Sequence, residues 1–438
     1  MKSKLKKILA VLLSVTAMSL TFAACGGNKD DGTCDHFYKI ADGKCMYCGE
    51  EHPHEWNKGV CTGCYYSCQH TKHNAITLLC NVCGVERFHD YRSENGGKCT
   101  MCDETSSYEH YAVPQEYRAK CAQGGTVVRV EYETETYAYN EYVADKNITP
   151  EYESTMKKDM YVYLPYGYTE EKQYDVLYLI HGSTGSQSMW FGRNEYRGGN
   201  MYNIEILDNL IAKGEMKETI VVTPTYYFMY EGETENNMRQ RNEAAETRGM
   251  GYNSKYFTGS FYKELKNVII PVIETQYSTY AGCLGKEVSE VTAEDFIGSR
   301  HHRAMAGLSL GSTTTWESGL RNSTDYIASF GCFSGAPETP PGNNSKTPQT
   351  TASEIIADLN EKFAGYNIDF LYTATGSDEV GMGNLTKIVD GVSAALIADN
   401  TWFTAENTVY INKLDKHHDF ENWYIDLYNV MKYCFFKS

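Results

Sequence analysis

The chain has 438 residues, a formal net charge of −17 at pH 7 and 36 tyrosines. It is longer than one typical domain, and its acidic balance argues against nucleic acid as a partner. Tyrosine joins a flat apolar ring to a polar tip, so this excess suits contact with sugar or aromatic rings, although tyrosines also pack in cores.

The first 24 residues predict a targeting signal. Lysines at positions 2, 4, 6 and 7 precede an apolar stretch from Ile8 to Phe22, which is too short and too interrupted to indicate a membrane span. Two alanines and Cys25 follow, and small residues before a lone cysteine resemble the cleavage site of a bacterial lipoprotein. We expect cleavage before Cys25, lipidation of its thiol and anchoring outside the cytoplasmic membrane. Ordinary secretion is the alternative, since Phe22 stands where leucine is usual.

A polar tether at 25–33 leads into a cysteine-rich module at 34–102, which holds ten of the fifteen cysteines. Four Cys-x-x-Cys pairs recur, and aliphatic residues are too few to form an apolar core, so cross-links must hold the module together. A Cys-x-x-Cys turn offers two thiolates to one ion, and tetrahedral zinc takes four sulfur or nitrogen ligands. We therefore predict structural zinc, with disulfides as the alternative in an oxidising compartment. The candidate ligands are Cys34, His36, Cys45, Cys48, Cys61, Cys64, Cys68, His70, Cys80, Cys83, Cys99 and Cys102.

This module resembles the zinc-ribbon-like repeats of bacterial surface proteins, a resemblance that does not say what the module binds. A polar linker at 103–123 separates it from the rest of the chain. Four widely spaced cysteines beyond the module are expected to be buried thiols: Cys121, Cys283, Cys332 and Cys434.

Strand and helix patterns alternate from 124 to 438. Apolar runs predict strands at 126–132, 159–164, 175–180, 370–374 and 408–411, and helical periodicity predicts helices at 204–213, 261–276, 353–363 and 384–399. Such alternation predicts an α/β fold, with a mostly parallel sheet covered by helices on both faces.

A Gly-x-Ser-x-Gly sequence stands at 307–311, between a short apolar strand and a helix-compatible stretch at 313–320. Its glycines permit a sharp strand-to-helix turn that exposes the hydroxyl of Ser309 as a nucleophile, with the N–H of Leu310 directed at the attacked bond. Small residues also cluster in ordinary turns, so this pattern alone is weak.

A His-Gly step follows the strand at 175–180. In an α/β-hydrolase this place supplies a second backbone donor for the oxyanion, here the N–H of Ser183 with Thr184 as the alternative. A glycine-rich turn with no further role could have the same sequence. Trp190, just beyond, is our candidate for a wall of the substrate pocket.

The remaining catalytic candidates follow the last two predicted strands. Ser309, Asp378 and His418 come in the Ser, Asp, His order of an α/β-hydrolase, each just past the end of a strand. His418 would take the serine proton, and Asp378 would fix its tautomer and stabilise the imidazolium. Glu379 competes with Asp378 for this role, His417 competes with His418, and Asp378 could instead cap a helix.

Over residues 121–438 the chain resembles the esterase D-like hydrolases, and within them the bacterial feruloyl esterases of carbohydrate esterase family one that are attached to xylanases. The motifs that carry this resemblance lie at 163–168, 179–182, 208–212, 220–224, 307–311 and 418–420. The resemblance implies an α/β-hydrolase that cleaves hydroxycinnamoyl or acetyl esters of plant xylan without a cofactor. It also implies Ser309 as nucleophile, His418 as base and Asp378 as the third member.

Three departures from the family pattern stand out. Ser312 replaces a second glycine after the nucleophile and could crowd the start of the helix, 282–299 looks like an insertion, and the tyrosine-rich segment 226–256 is long. The last two could reshape the acyl pocket, so feruloyl and acetyl esters both remain open. A non-catalytic surface protein that binds carbohydrate is a further alternative, but such a protein would not need all three catalytic residues.

Overall fold

The computed structural model describes residues 113–150, 154–191, 201–227, 255–337, 346–377, 385–413 and 416–437, together with Glu379, Met382 and four two-residue strands between 56 and 99. Chain contacts divide the protein into Met1–Arg87 and Phe88–Ser438. The short strands form two antiparallel pairs, Trp56–Asn57 with Val60–Cys61 and Tyr91–Arg92 with Lys98–Cys99.

Most of the predicted N-terminal features lie outside the described residues. The signal segment, Cys25 and the predicted zinc ligands other than Cys61 and Cys99 all fall there, and for these two only the backbone is described. Within the described part, no group of three or more His, Cys, Asp or Glu side chains could hold a metal ion. The helices of that part include none long and apolar enough to cross a bilayer.

Eight strands form one mixed sheet in the second unit. They are β1 Thr126–Glu135, β2 Thr155–Leu164, β3 Asp175–Ile180, β4 Thr219–Thr223, β5 Arg303–Leu308, β6 Ser329–Phe333, β7 Phe370–Gly376 and β8 Thr408–Lys413. The spatial order is β8-β7-β6-β5-β3-β4-β2-β1. β1 and β2 run antiparallel to their neighbours, and the other six strands are parallel.

Burial along the strands follows their places in the sheet. β3, β4, β5, β6 and β7 are buried at every position, as continuous apolar runs in a sheet covered on both faces require. The second half of β1 instead alternates buried and exposed residues, the pattern of an edge strand with one face in water.

Helices cover both faces of the sheet. They are α1 Tyr137–Lys146, α2 Asn203–Ala212, α3 Lys255–Glu264 (continued by Leu265–Ile269 and Ile270–Gln276), α4 Ala293–Ile297, α5 Leu310–Thr314 (continued by Thr315–Leu320), α6 Pro348–Lys362, α7 Leu385–Asp399 and α8 Phe420–Asn429 (continued by Val430–Cys434). Short 3₁₀ turns lie at Gln115–Tyr117, Met189–Phe191, Val288–Glu290 and Arg300–His302. One apolar cluster joins β3 to α3, α6 and α7, and a second joins the opposite face of β3 to α2 and α8.

The predicted strands and helices are all present, with ends shifted by a few residues. The strand predictions omitted β6, whose Ser, Gly and Cys content gives a weak strand signal, and β4, whose residues entered only as a family motif. The helix predictions omitted the tyrosine-rich α1, the short α4 and α8. Of the four singleton cysteines, Cys283, Cys332 and Cys434 are buried thiols as expected, whereas Cys121 is partly exposed.

The insertion at 282–299 packs at the amino end of β5. Arg303, the first residue of that strand, donates to the backbone oxygen of Phe296 at 2.6 Å and to the hydroxyl of Ser299 at 2.7 Å. Its guanidinium also pairs with the buried carboxylate of Glu274, with Nη2 2.8 Å from Oε2. Since Ser309 follows the opposite end of β5, the expectation that this insertion reshapes the acyl pocket is wrong.

We expect Arg303→Met to lower the free energy of unfolding by about 3–5 kcal/mol, because Glu274 would be left as an uncompensated buried charge. The double variant Arg303→Met/Glu274→Met should recover more than half of that loss. Urea denaturation of the two variants and the wild type measures both values.

Arg129→Met is the matched control, because the Arg129 side chain is 55% exposed in its ion pair with Asp159. It should cost less than about 1 kcal/mol. Equal losses for the buried and the exposed arginine would contradict a structural role for the Arg303–Glu274 pair.

Candidate active site

Ser309 occupies a sharp turn between β5 and α5. Its backbone has φ 54° and ψ −119°, a conformation that costs a non-glycine residue about 1–3 kcal/mol. The flanking glycines permit the turn, because a Cβ on Gly307 would lie 2.4 Å from the carbonyl oxygen of Gly311. A Cβ on Gly311 would lie 2.4 Å from the carbonyl oxygen of His181. Only glycine fits at either place, so the turn predicted from the motif is present.

His418 lies directly against Ser309. Its Nε2 is 2.8 Å from the Ser309 Oγ, and its ring meets the ring of Trp423 edge-on at 5.1 Å between centroids. Asp419, the next residue, caps α8 by accepting the N–H of Asn422 at 3.2 Å, which anchors the loop that carries the histidine. The alternative base, His417, is exposed. The structure therefore brings His418, and not His417, to the nucleophile.

The carboxylate that contacts His418 belongs to Glu379. Its Oε2 lies 2.9 Å from the Nδ1 of His418. We predicted Asp378 for this place, with Glu379 as the alternative, and the structure puts Glu379 there. Asp378 lies outside the described residues. Two adjacent carboxylates after β7 are equivalent in sequence, and only the path of the loop decides which one reaches the imidazole.

Three hydrogen bonds hold the other carboxylate oxygen of Glu379. Oε1 accepts the N–H of Gly376 at 2.6 Å, the hydroxyl of Ser334 at 2.6 Å and the side-chain amide of Asn422 at 3.3 Å. Burial by itself would raise the pKa of Glu379, but the hydrogen bonds from His418, Ser334 and Gly376 hold that pKa below its ordinary value. Glu379 therefore stays ionised above that lowered pKa, and the stabilisation it gives His418 is lost only as the pH falls through it.

This carboxylate sets the tautomer of His418. Because ionised Glu379 can only accept, the Nδ1 of His418 carries the proton and donates it. The Nε2 is then unprotonated and accepts the hydroxyl proton of Ser309. The arrangement is a charge-stabilised general base in contact with a nucleophile.

The predicted oxyanion donors lie beside the nucleophile. Gly182, Ser183, Thr184 and Leu310 all line the cavity that contains Ser309. A Cβ on Gly182 would come within 3.2 Å of the Cβ of Ser309, so the His-Gly loop runs directly along the nucleophile. Leu310 opens α5, where backbone N–H groups have no partner within the helix.

The cavity beside these residues has a volume of about 350 Å³. Apart from His418, its remaining lining is mostly apolar and consists of Met189, Leu308, Thr313, Ser334, Gly335, Ala336, Met382, Leu385 and Trp423. No sequence motif pointed to these side chains, because they come from five separate segments of the chain. Only the position of Trp423, in the first turn of the helix that follows His418, offered a signal.

Trp190 is not a pocket wall, which corrects our prediction. Its side chain is fully buried, and its Nε1 donates to the carbonyl oxygen of Ile180 at 3.0 Å. Its ring packs edge-on against Phe333 and Phe420 beneath the site. Among the residues described, Trp423 is the tryptophan that lines the cavity.

Ser312 does not crowd the start of α5. Its side chain is buried, and its hydroxyl donates to the carbonyl oxygen of Gly335 at 2.9 Å. A Cβ on Gly335 would lie 2.5 Å from the Cβ of Ser312, so glycine at 335 makes room for serine at 312. The departure from the family pattern is thus compensated locally.

Comparison with known proteins places this site among esterases. A family model described as putative esterase matches residues 153–429. Endo-1,4-beta-xylanase Y of Acetivibrio thermocellus is 30% identical over 289 residues, which cover 66% of this chain and 21% of that protein. An endo-1,4-beta-xylanase/feruloyl esterase of Xylanibacter ruminicola is 31% identical over 213 residues, covering 47% of this chain and 24% of that protein. The chain thus matches less than a quarter of the length of these curated relatives.

Solved structures agree with the family match. A serine-to-alanine mutant of the feruloyl esterase module from Clostridium thermocellum, complexed with sinapinate, is 26% identical and has a TM-score of 0.54. The alignment covers 76% of this chain and 94% of that module. The α/β-hydrolase fold and the resemblance to esterases are confirmed. Because the segment matched by the family model exceeds half of the chain, the protein belongs to the family of putative esterases.

Proposed function

We propose that the protein is a serine carboxylic-ester hydrolase that cleaves feruloyl or related hydroxycinnamoyl esters of plant cell-wall xylan. The hydrogen-bonded series Ser309, His418 and Glu379 is the observation that carries this proposal. Two relatives are named as xylanases, one of them also as a feruloyl esterase, and a similar solved module is named as a feruloyl esterase. A protein that only binds carbohydrate would have no need of this ordered series.

In the proposed first half-reaction, the Ser309 Oγ attacks the ester carbonyl carbon while the Nε2 of His418 takes the hydroxyl proton. The carbonyl oxygen becomes an oxyanion that accepts hydrogen bonds from the N–H groups of Leu310 and Ser183. Ionised Glu379 stabilises the imidazolium of His418. The tetrahedral intermediate then collapses, and His418 returns the proton to the departing sugar hydroxyl.

The second half-reaction uses the same groups. Water attacks the acyl group on Ser309, His418 takes a proton from that water, and a second oxyanion forms in the same place. Collapse releases the carboxylic acid and returns the proton to Ser309. Every proton passes through the Nε2 of His418, so no metal or cofactor has a step in this mechanism.

The apolar walls of the cavity favour an aromatic acyl group. Met189, Leu308, Ala336, Leu385 and Trp423 would remove the ring and propenyl chain from water. Burial of a cinnamoyl group would contribute roughly 2–3 kcal/mol at ~25 cal/mol per Å² of apolar surface. An acetyl group buries far less area, so it would gain little from these walls.

We expect methyl ferulate or a feruloylated arabino-oligosaccharide to exceed acetylated xylan by about two orders of magnitude in kcat/KM, if the apolar binding is realised in the transition state. Release of ferulate and of acetate from matched substrates measures this ratio, with a long-chain acyl ester as a third substrate. A preference for acetate would make the protein an acetylxylan esterase, and a preference for the long chain would contradict a polysaccharide substrate.

Substitutions at the site separate Glu379 from Asp378. Ser309→Ala and His418→Ala should lower kcat by about 10⁴–10⁶ with little effect on folding. Glu379→Gln should cost on the order of 10⁴, because the imidazolium loses its counter-charge. Asp378→Asn is the matched control, since it neutralises the adjacent carboxylate, and its effect should be mild. Loss of activity in Asp378→Asn with activity retained in Glu379→Gln would show that the third member is Asp378.

We propose further that residues 1–24 direct export, that the Cys25 thiol carries a lipid outside the cytoplasmic membrane, and that the module at 34–102 holds structural zinc. The support is the sequence pattern: a basic start, an apolar stretch ending before a lone cysteine, and four Cys-x-x-Cys pairs with interspersed histidines. On this proposal the module and its lipid anchor hold the esterase outside the cytoplasmic membrane, where it can reach polysaccharide substrates.

Native mass spectrometry of the full chain extracted from membranes should show an acyl-modified N-terminus at Cys25 and bound zinc. A strong chelator should remove the zinc and unfold the module, because in such small sites binding free energy is folding free energy. The turnover of a small soluble ester should be the same with and without the chelator. Ten oxidised cysteines without metal would indicate disulfides, and an unmodified protein in the culture medium would indicate ordinary secretion.

A further inference from the structure

His181 lies next to the oxyanion loop, yet the proposed mechanism does not use it. Its ring is buried, with Nδ1 2.7 Å from the carbonyl oxygen of Gly182 and Nε2 2.8 Å from the Oγ1 of Thr225. The ring also stacks on Tyr226 at 4.4 Å between centroids. Both ring nitrogens are therefore engaged, and the orientation of the ring is determined.

The partners of His181 define its tautomer. The Gly182 carbonyl can only accept, so Nδ1 carries the proton and donates it, and Nε2 accepts the hydroxyl proton of Thr225. The Oγ1 of Thr225 itself accepts the N–H of Tyr227 at 3.1 Å, which leaves its proton for His181. Burial lowers the pKa of His181 to about 3, and the nearby charge of Lys158 acts in the same direction. His181 is thus neutral at every pH at which an esterase is ordinarily assayed.

Two contacts of the Gly182 carbonyl oxygen determine the direction of the neighbouring N–H: the Nδ1 of His181 at 2.7 Å and the N–H of Gly185 at 3.1 Å. A trans peptide is planar, and its C=O and N–H point in opposite directions. Because the Gly182 carbonyl is turned toward His181, the N–H of Ser183 is turned away from the imidazole. Gly182 runs directly along Ser309, and Ser183 lines the same cavity. Rotation of this peptide would put a carbonyl oxygen where the hole needs a donor.

Thr225 is anchored in turn by a buried ion pair. The Nζ of Lys158, on β2, donates to the carbonyl oxygen of Thr225 at 2.5 Å and lies 2.7 Å from the Oε1 of Glu264, on α3. Tyr132 donates to the same carboxylate at 2.8 Å. Lys158 and Glu264 are 7% and 5% exposed, so the pair is held in a dry environment that resists rearrangement.

We propose that Thr225 and His181 are positioning residues of the oxyanion hole, held by the Lys158–Glu264 pair, and that they keep the Ser183 N–H directed at the reacting carbonyl. Neither residue touches the substrate. The inference rests on the proposed esterase function, and it explains why a costly buried ion pair lies beside the loop at the end of β3. Loss of the Thr225 hydroxyl would leave the Nε2 of His181 without its donor and free the ring to turn.

The test compares three variants with the wild type. Thr225→Val removes the hydroxyl at nearly constant volume, and Thr225→Ser keeps it. Thr219→Val removes a buried hydroxyl at the start of β4, the strand that precedes Thr225, where Thr219 donates to the carbonyl oxygen of Lys217 at 3.0 Å. The readouts are kcat and KM with methyl ferulate, the rate at which a fluorophosphonate modifies Ser309, and Tm. Thr225→Ala replaces Thr225→Val if the latter does not fold.

We expect Thr225→Val to lower kcat and the phosphonylation rate together, by about tenfold to a hundredfold, with KM changed less than about twofold. Thr225→Ser should recover most of the loss, and Thr219→Val should keep the wild-type kcat. Equal kcat values for Thr225→Val and the wild type, equal losses for Thr225→Val and Thr219→Val, or a rise in KM alone would overturn the inference.

If the proposed esterase function is wrong, the same experiment gives a different result. In that case the wild type would leave every ester intact while a fluorophosphonate still modified Ser309. The phosphonylation rates of the variants would then decide the inference by themselves, because the phosphoryl oxygen occupies the same hole.

Discussion

At Gly311 the backbone that follows Ser309 passes so close to the end of β3 that an added Cβ would lie 2.4 Å from the carbonyl oxygen of His181. This contact joins the two halves of the site, because one strand end carries the nucleophile and the other carries the oxyanion loop. It also fixes the start of α5, whose first residue, Leu310, lines the cavity. The strained conformation of Ser309 is stable only because the surrounding backbone leaves no room for another path.

Two networks of buried, hydrogen-bonded polar side chains hold the site from both sides. On one side Glu379 anchors His418 and is itself held by Ser334, Gly376 and Asn422. On the other side the Lys158–Glu264 pair reaches the oxyanion loop through Thr225 and His181. Each network ends on one atom of the proposed reaction, either the nitrogen of the base or the N–H of the oxyanion donor. A low dielectric strengthens such networks when every member is satisfied.

The carboxyl and amino ends of the parallel strands have separate roles. The carboxyl ends of β3, β5, β6 and β7 meet at the cavity, as expected for ligand sites in parallel sheets. The amino end of β5 carries the Arg303–Glu274 pair, which binds the insertion at 282–299. Variation in that insertion can therefore alter the surface and the stability of the protein without altering the pocket.

The sequence by itself determined six of the eight strands of the sheet, the turn at Ser309, the His-Gly loop and the histidine that precedes α8. These features depend on local rules: apolar periodicity, glycine where no Cβ fits, and chain order. The tertiary structure alone decided that Glu379 rather than Asp378 meets His418, and that Trp423 rather than Trp190 lines the pocket. It also revealed that β6 lies between β5 and β7. Such choices depend on loop paths and on contacts between residues far apart in the chain, and no local pattern encodes the direction in which a loop side chain finally points.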